Sequence, residues 1–360
     1  MFDDCISKIA DILSSQSASF EAGAPYFADP HYKAIPFDVS RFCKFAPKNE
    51  RSGSGSTLCF VDGGNLDIVS APNFSIQFLR VASVAFKEGK RKPLALPQRI
   101  ESLVIVTHSS DMGDFEVKYM PVDEKQRLFL PQDFSISKRL VSQGDEELAP
   151  RPIVAAGGAA RKFAEWFYGA RIIRDCLTKG DVFVRDGTLQ VGIEGEERFA
   201  SQAYGAADAK GVAFTGLAKT SALVTTTGFP ITASVQMLAK KHGIGGAWYY
   251  GPVAENRNPK HLGDIFVGKF FGGSRYAFRF EIHDSARQDV GAIFGELASN
   301  SCDLSFPGYP YGLIAADKMA RVEVGERAAL EARIKMRLSR ISGIRECLAA
   351  TDAHRIISGL

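Results

Sequence analysis

The sequence has no CxxC pair, no Gly-Lys-Ser/Thr phosphate loop, no long apolar run and no large charge of either sign. Each absence removes a class of protein. The six cysteines (Cys5, Cys43, Cys59, Cys176, Cys302 and Cys347) are scattered, which argues against a structural zinc site. They read as reduced thiols of a cytoplasmic protein. The start, Met1-Phe2-Asp3-Asp4, lacks the basic residues and apolar core of a secretory leader. No stretch approaches the roughly 18 apolar residues of a membrane helix, so no membrane partner is expected. A formal net charge of +3 is too small to imply nucleic-acid binding, so any basic surface must be local. The loop Arg51-Ser52-Gly53-Ser54-Gly55-Ser56-Thr57 has glycines without the lysine that a nucleotide loop needs.

What is present is a chain of 360 residues, 45% of them hydrophobic, enough for a substantial core in one large domain or two modest ones. Two segments pair an apolar run with an acidic residue and glycine. Leu58-Cys59-Phe60-Val61-Asp62-Gly63-Gly64 is the first; Asp181-Val182-Phe183-Val184-Arg185-Asp186-Gly187-Thr188-Leu189 is the second. Both read as strands closed by an acidic turn, where glycine permits a sharp bend and the close approach of a charged group. An aspartate before glycine is most often ordinary turn chemistry. Its repetition at equivalent strand ends raises the functional reading, because two carboxylates brought together suit hard divalent cations. With two ions, such a site suits phosphoester cleavage.

Periodicity supplies the frame. Ile6, Ile9, Ile12 and Leu13 share one face of an amphipathic helix over residues 1–20. Residues 21–50 read as irregular. Ser75–Phe86 is a strand that returns antiparallel to the first. Ser102–Thr107 and Phe115–Met120 are further strands, and 142–152 is the best internal break. Phe163, Trp166, Phe167, Ala170, Ile173 and Leu177 mark a helix over 155–177 that leads into the second acidic strand. Strands follow at 212–217, 222–226, 246–250, 265–271 and 276–282, with helices at 231–242, 285–300, 311–322 and 326–341. Strands with interspersed helices, starting from an antiparallel pair, fit a ribonuclease H-like mixed sheet flanked by helices, with additional strands and a helical C-terminus.

Four more positions are candidates. Glu165 lies on the helix before Asp186, among apolar neighbours, where a carboxylate either turns to solvent or finds a partner. Tyr309 and Asp317 belong to Phe306-Pro307-Gly308-Tyr309-Pro310-Tyr311-Gly312-Leu313-Ile314-Ala315-Ala316-Asp317-Lys318. The bland alternatives are a packed tyrosine turn and an aspartate paired with Lys318 or Arg321 on a helix surface. Lys219 ends a strand and reads equally well as a phosphate ligand or an exposed lysine.

Val61-Asp62-Gly63-Gly64, Val184-Arg185-Asp186-Gly187-Thr188-Leu189 and Tyr309-Pro310-Tyr311-Gly312 through Asp317 occur in the order found in the NurA nuclease family, which this chain resembles over roughly residues 55–325. Gly216-Leu217-Ala218-Lys219-Thr220 and Tyr276-Ala277-Phe278-Arg279-Phe280-Glu281 are similar to two further strands of that family. The resemblance implies a manganese- or magnesium-dependent DNA nuclease with two metal ions, acting on single- or double-stranded DNA as a homodimer beside a HerA-like hexameric ATPase in end resection and repair. It implies metal ligands at Asp62, Glu165, Asp186 and Asp317, and catalytic roles for these four with Tyr309 and Lys219. The family's second proline is Gly312 here, and its histidine is Asp317. An aspartate offers oxygen to a metal but not a neutral imidazole.

On this reading residues 1–50 form an N-terminal helix and irregular arm. Residues 51–325 form the nuclease domain, within which 87–150 reads as an inserted strand region, and 326–360 form a C-terminal helical segment. Arg161, Lys162, Arg171 and Arg174 would face DNA phosphates. The basic residues of 318–340 are left open between DNA contact and a solvated helix face. Two alternatives stand beside the nuclease: a catalytically weakened DNA-binding adaptor of the ATPase, and an actin-like-fold phosphotransferase that uses Gly243-Ile244-Gly245-Gly246.

Overall fold

The computed structural model describes residues 2–17, 23–45, 55–110, 113–137 and 152–349. Along the chain come α1 (Phe2–Ser17), β1 (Pro25–Tyr26), β2 (Tyr32–Ala34), β3 (Phe42–Lys44), β4 (Leu58–Ala71), β5 (Phe74–Lys87), β6 (Lys90–Lys92), β7 (Arg99–His108), β8 (Asp114–Pro121) and β9 (Phe134–Ser137). Then follow α2 (Pro152–Cys176), β10 (Val182–Asp186), α3 (Glu196–Lys210), β11 (Ala213–Ala218), β12 (Val224–Thr225), α4 (Ile231–Lys241), β13 (Trp248–Tyr250) and β14 (Ala254–Asn256). β15 (Gly263–Lys269), β16 (Phe278–His283), α5 (Val290–Ser299), α6 (Tyr311–Ala320) and α7 (Val324–Leu338) complete the elements.

The chain divides into two compact units. The larger holds Glu50–Asp186, Gln190–Phe214 and Tyr311–Leu360. Its strands run in the order β10-β4-β5-β7-β8-β9, with β6 folded back on β5. β4, β5, β7, β8 and β9 form an antiparallel meander, and β10 joins β4 in parallel. Two residues, Pro72 and Asn73, connect the long strands β4 and β5. The β5–β6 turn places Glu88 at φ 52° and Gly89 at φ 72°, the left-handed pair that matches strand twist in a tight hairpin. Nearly all of β5 is buried, as expected of a strand covered on both faces.

Helix α2 packs on β4, β5 and β7, while α6 packs on β4 and β5. The fold is therefore mixed α/β, a large mixed sheet flanked by helices, as the periodicity indicated. Beneath the far end of β4, Ile68, Val69, Phe74 and Phe78 form a core cluster to which α7 adds Leu330, Ile334 and Leu338.

The smaller unit holds Met1–Asn49, Gly187–Leu189 and Thr215–Pro310. Its main strands are β3, β13, β15, β16 and the later residues of β11, paired antiparallel in that order. Ile231 and Val235 of α4 pack on Trp248, Tyr250, Ile265 and Val267. A second nucleus is aromatic: Phe294 stacks on Phe270 at 5.4 Å and meets Phe280 at 4.9 Å.

Most elements lie where the periodicity puts them, with three differences. Residues 23–45 are not irregular throughout, since they supply β1, β2 and β3. These strands are two or three residues long, too short for alternation to show. β14 and β9 escape the pattern for the same reason. The third difference concerns Asp62, which lies inside β4 rather than at a closing turn. The expected break at 142–152 falls outside the described residues apart from Pro152, which opens α2.

Candidate active site

Asp181 sets the frame for the larger unit's acidic pair. Its buried carboxylate accepts the Thr57 N–H through Oδ1 at 2.7 Å and the Thr178 N–H through Oδ2 at 2.9 Å. Thr57 immediately precedes β4, and Thr178 lies just ahead of β10, so one side chain ties the starts of both strands together. The Val182 N–H also donates to the Thr57 carbonyl at 2.9 Å. Parallel pairing then runs Val182–Leu58, Phe183–Cys59, Val184–Phe60 and Arg185–Val61. One step further along, Asp186 stands beside Asp62. Neighbouring strands lie about 4.8 Å apart, and aligned residues of a parallel pair face the same side. The two carboxylates thus share one face of the sheet.

Gly63 and Gly64 explain why Asp62 does not end its strand. A Cβ on Gly63 would lie 2.8 Å from Cγ of Glu165 and 3.0 Å from its carboxyl carbon. A Cβ on Gly64 would lie 3.2 Å from the carbonyl carbon of Ala320, the last residue of α6. Alternation points Gly63 towards α2 and Gly64 towards α6. The double glycine therefore serves close approach by a helix on each face, not a bend.

Glu165 is 4% exposed and is held by two arginines. Arg161, one turn earlier on α2, pairs with Oε1, and its Nη1 also donates to the Gly63 carbonyl at 3.3 Å. Arg185 donates from Nη2 to Oε2 at 3.2 Å, with its guanidinium 4.3 Å from the centre of the Trp166 ring. The Arg161 guanidinium is held above its ordinary pKa, by Glu165 first, against the opposing effect of burial, and then by Asp62 and Asp186. One guanidinium thus pairs with Glu165 and lies in the field of Asp62 and Asp186, acids carried on α2, β4 and β10.

The other candidates are placed differently. Asp317, on α6, accepts from Arg321 Nη2 at 2.8 Å, the helix-surface pair that was the bland alternative. Gly312 lies against Phe60: a Cβ there would sit 2.6 Å from Cγ of the ring, which gives a physical reason for glycine at that position. Tyr309 and Lys219 belong to the smaller unit. The Tyr309 ring is buried, edge-on to Phe278 at 5.1 Å. Lys219 is exposed and directly follows β11.

Three of the basic residues expected to face DNA, Arg161, Arg171 and Arg174, have acidic partners within the chain. Arg161 is engaged within the acidic group, and Arg171 and Arg174 both pair with Asp175. Sequence reasoning also missed Asp181 and Arg185 as organisers. The alternation of Arg185 and Asp186 at the end of a buried strand was the available signal, since it sends a guanidinium to one face and a carboxylate to the other.

Among the described residues no three His, Cys, Asp or Glu side chains form a group arranged to hold a metal ion. The donor type still fits: Asp62 and Asp186 are carboxylates, the hard oxygen donors that Mg²⁺ and Mn²⁺ take. Glu165 and Asp317 are engaged by arginines.

The fold is a ribonuclease H-like mixed α/β sheet flanked by helices. Among solved structures, the NurA nuclease of Sulfolobus solfataricus is similar to this chain, with 12% identity, a TM-score of 0.50, and coverage of 95% of this chain and 96% of that one. At that identity the likeness concerns the fold alone. Two weaker likenesses carry no argument: endonuclease V of Ciona intestinalis in complex with inosine-containing DNA, at 10% identity, 80% and 92% coverage and a TM-score of 0.35, and the catalytic domain of human endonuclease V, at 12%, 81% and 92%, and 0.35. No protein-family model matches, and no curated protein matches.

Proposed function

We propose that this chain is a divalent-metal-dependent DNA nuclease of the NurA type. The observation that carries the proposal is the parallel register that pairs Arg185 with Val61 and so brings the next residues, Asp186 and Asp62, to neighbouring positions. The whole-length likeness to a NurA nuclease supports it at the level of fold. Asp62 and Asp186 would hold the cation, with Glu165 and Asp317 joining once their arginine partners are displaced. A bound Mn²⁺ or Mg²⁺ pair supplies charge stabilisation at a scissile phosphate and an activated water. Arg161 keeps the acids together before that exchange, so like charges do not drive them apart. Lys219 and Tyr309 take their roles from the resemblance: a cation for a phosphate oxygen, and an aromatic for a phosphate or terminal base. Contacts to single- or double-stranded DNA are phosphate-directed. The homodimer, the HerA-like hexameric ATPase, the role in end resection and the cytoplasmic location rest on the resemblance.

A second reading is favoured by the arginines on Glu165 and Asp317: an adaptor that binds DNA beside the ATPase without cutting it. One experiment separates the two. Purified protein is incubated with Mn²⁺ and labelled single-stranded and duplex DNA, beside Asp62→Asn. Cleavage by the parent and not by the variant supports the nuclease; no cleavage by either, with the ATPase present, supports the adaptor.

A further inference from the structure

We infer that a groove on the larger unit receives helix α1 of a second copy of this chain. The inference deepens the homodimer part of the proposed function and rests on it. It joins two surfaces that are both apolar and that carry opposite charge.

The first surface is α1. Phe2, Ile6, Ile9 and Leu13 recur at intervals of four, three and four residues, which lines them along one stripe of a helix. Each is more than half exposed, from 52% at Leu13 to 86% at Phe2. All of residues 2–14 are exposed, so the stripe lies uncovered. A helix of this length is marginal in water by itself, and its stability comes from packing its apolar face. The helix carries Asp3, Asp4 and Asp11 against Lys8, a net negative charge.

The second surface is a groove of about 640 Å³ between α7 and the exposed ends of β7 and β8. Its walls include Leu103, Met120, Val122, Ile334 and Met336. Met120, Val122 and Met336 are each more than half exposed. Arg333 and Arg337, one turn apart on α7, add two positive charges to the lining. The neighbouring Lys335 is tied to Glu331 at 3.0 Å. An apolar, methionine-bearing groove with guanidinium groups is the receptor that an acidic amphipathic helix fits.

One chain carries both halves of this match. Reciprocal exchange between two copies gives a closed two-fold dimer in which each subunit donates a helix and receives one.

The test is sedimentation of the full chain across a concentration series, with circular dichroism as the control for folding. The substitutions are at exposed positions. Ile6→Asp/Ile9→Asp removes the stripe, and Val122→Asp/Met336→Asp spoils the groove. Each is expected to raise the dimer dissociation constant by about 30-fold or more, the size of losing a hot-spot anchor. An equimolar mixture of the two variants restores one of the two contacts and recovers part of the dimer. Arg333→Glu/Arg337→Glu weakens association, and adding Asp3→Lys/Asp11→Lys in the same chain recovers it. Dimers of unchanged affinity in both variants would place the dimer on another surface and overturn the inference while leaving the nuclease reading intact. A parent chain that is monomeric throughout overturns the inference together with the homodimer, again without touching the cleavage assay.

Discussion

Val61 pairs with Arg185 on neighbouring parallel strands, and the next residue on each strand is an aspartate, Asp62 and Asp186. Their alignment is set from the opposite end of the strands by Asp181, whose two oxygens hold the backbones of Thr57 and Thr178. A third aspartate thus braces the two strands that carry the acidic pair.

Replacing either member of the pair tests the proposal directly. Asp62→Asn and Asp186→Asn should each lower Mn²⁺-dependent cleavage by about 10²-fold or more, the scale of losing one preorganised electrostatic group. Thermal unfolding should move little, because the amide keeps the shape of the acid. Collapse of the fold in either variant would show a structural rather than a chemical role.

Arg161 pairs with Glu165 and puts a positive charge in the field of Asp62 and Asp186. Arg161→Ala should therefore tighten Mn²⁺ binding by about tenfold or more, since a unit charge a few ångströms away is worth over 1 kcal/mol at protein-like dielectric. Calorimetric titration with Mn²⁺ alone measures this. Unchanged or weaker binding would mean that Arg161 only braces Glu165.

The glycine that admits Glu165 is a packing requirement. Gly63→Ala places a methyl group 2.8 Å from Cγ of Glu165 and should destabilise the larger unit by about 1–3 kcal/mol. Denaturant unfolding gives the value, and the companion Gly63→Ala/Glu165→Ala chain should regain part of it. No recovery would place the strain elsewhere.

In the smaller unit, burial alone would raise the pKa of Glu281, but Arg279, His261 and the Leu189 N–H outweigh it and hold the carboxyl at about 2. His261 lies 2.8 Å away, with Tyr32 hydrogen-bonded to its other ring nitrogen. A depressed folded-state pKa stabilises above the ordinary value near 4.5, and that contribution is lost as pH falls through about 2. Glu281→Gln should cost about 3 kcal/mol at pH 7, with the gap narrowing below pH 4.5. Urea unfolding at pH 7, 4 and 3 checks the trend, and a gap independent of pH would assign the loss to packing instead.

Much of the fold was legible because its signals are local. The stripe Phe163, Trp166, Ala170 and Ile173 defines α2, and the run Val182–Val184 defines β10. Gly63-Gly64 misled because glycine has the same letter whether it bends a chain or lets a helix come close. Glu165 was legible as a carboxylate in apolar company, but not which guanidinium groups meet it. Arg185 reaches it from a different element, and only the packing of α2 on β4 and β10 brings them together. Asp181 was silent for the same reason: its partner Thr57 lies beyond any helical or strand period.

The strand carrying Asp186 is made long after the strand carrying Asp62, with the whole meander and α2 between them. A nascent chain still emerging from the ribosome therefore holds one carboxylate without its mate. If the pair is what cuts DNA, a polypeptide released early is harmless to the genome, and destructive power arrives only with the completed sheet.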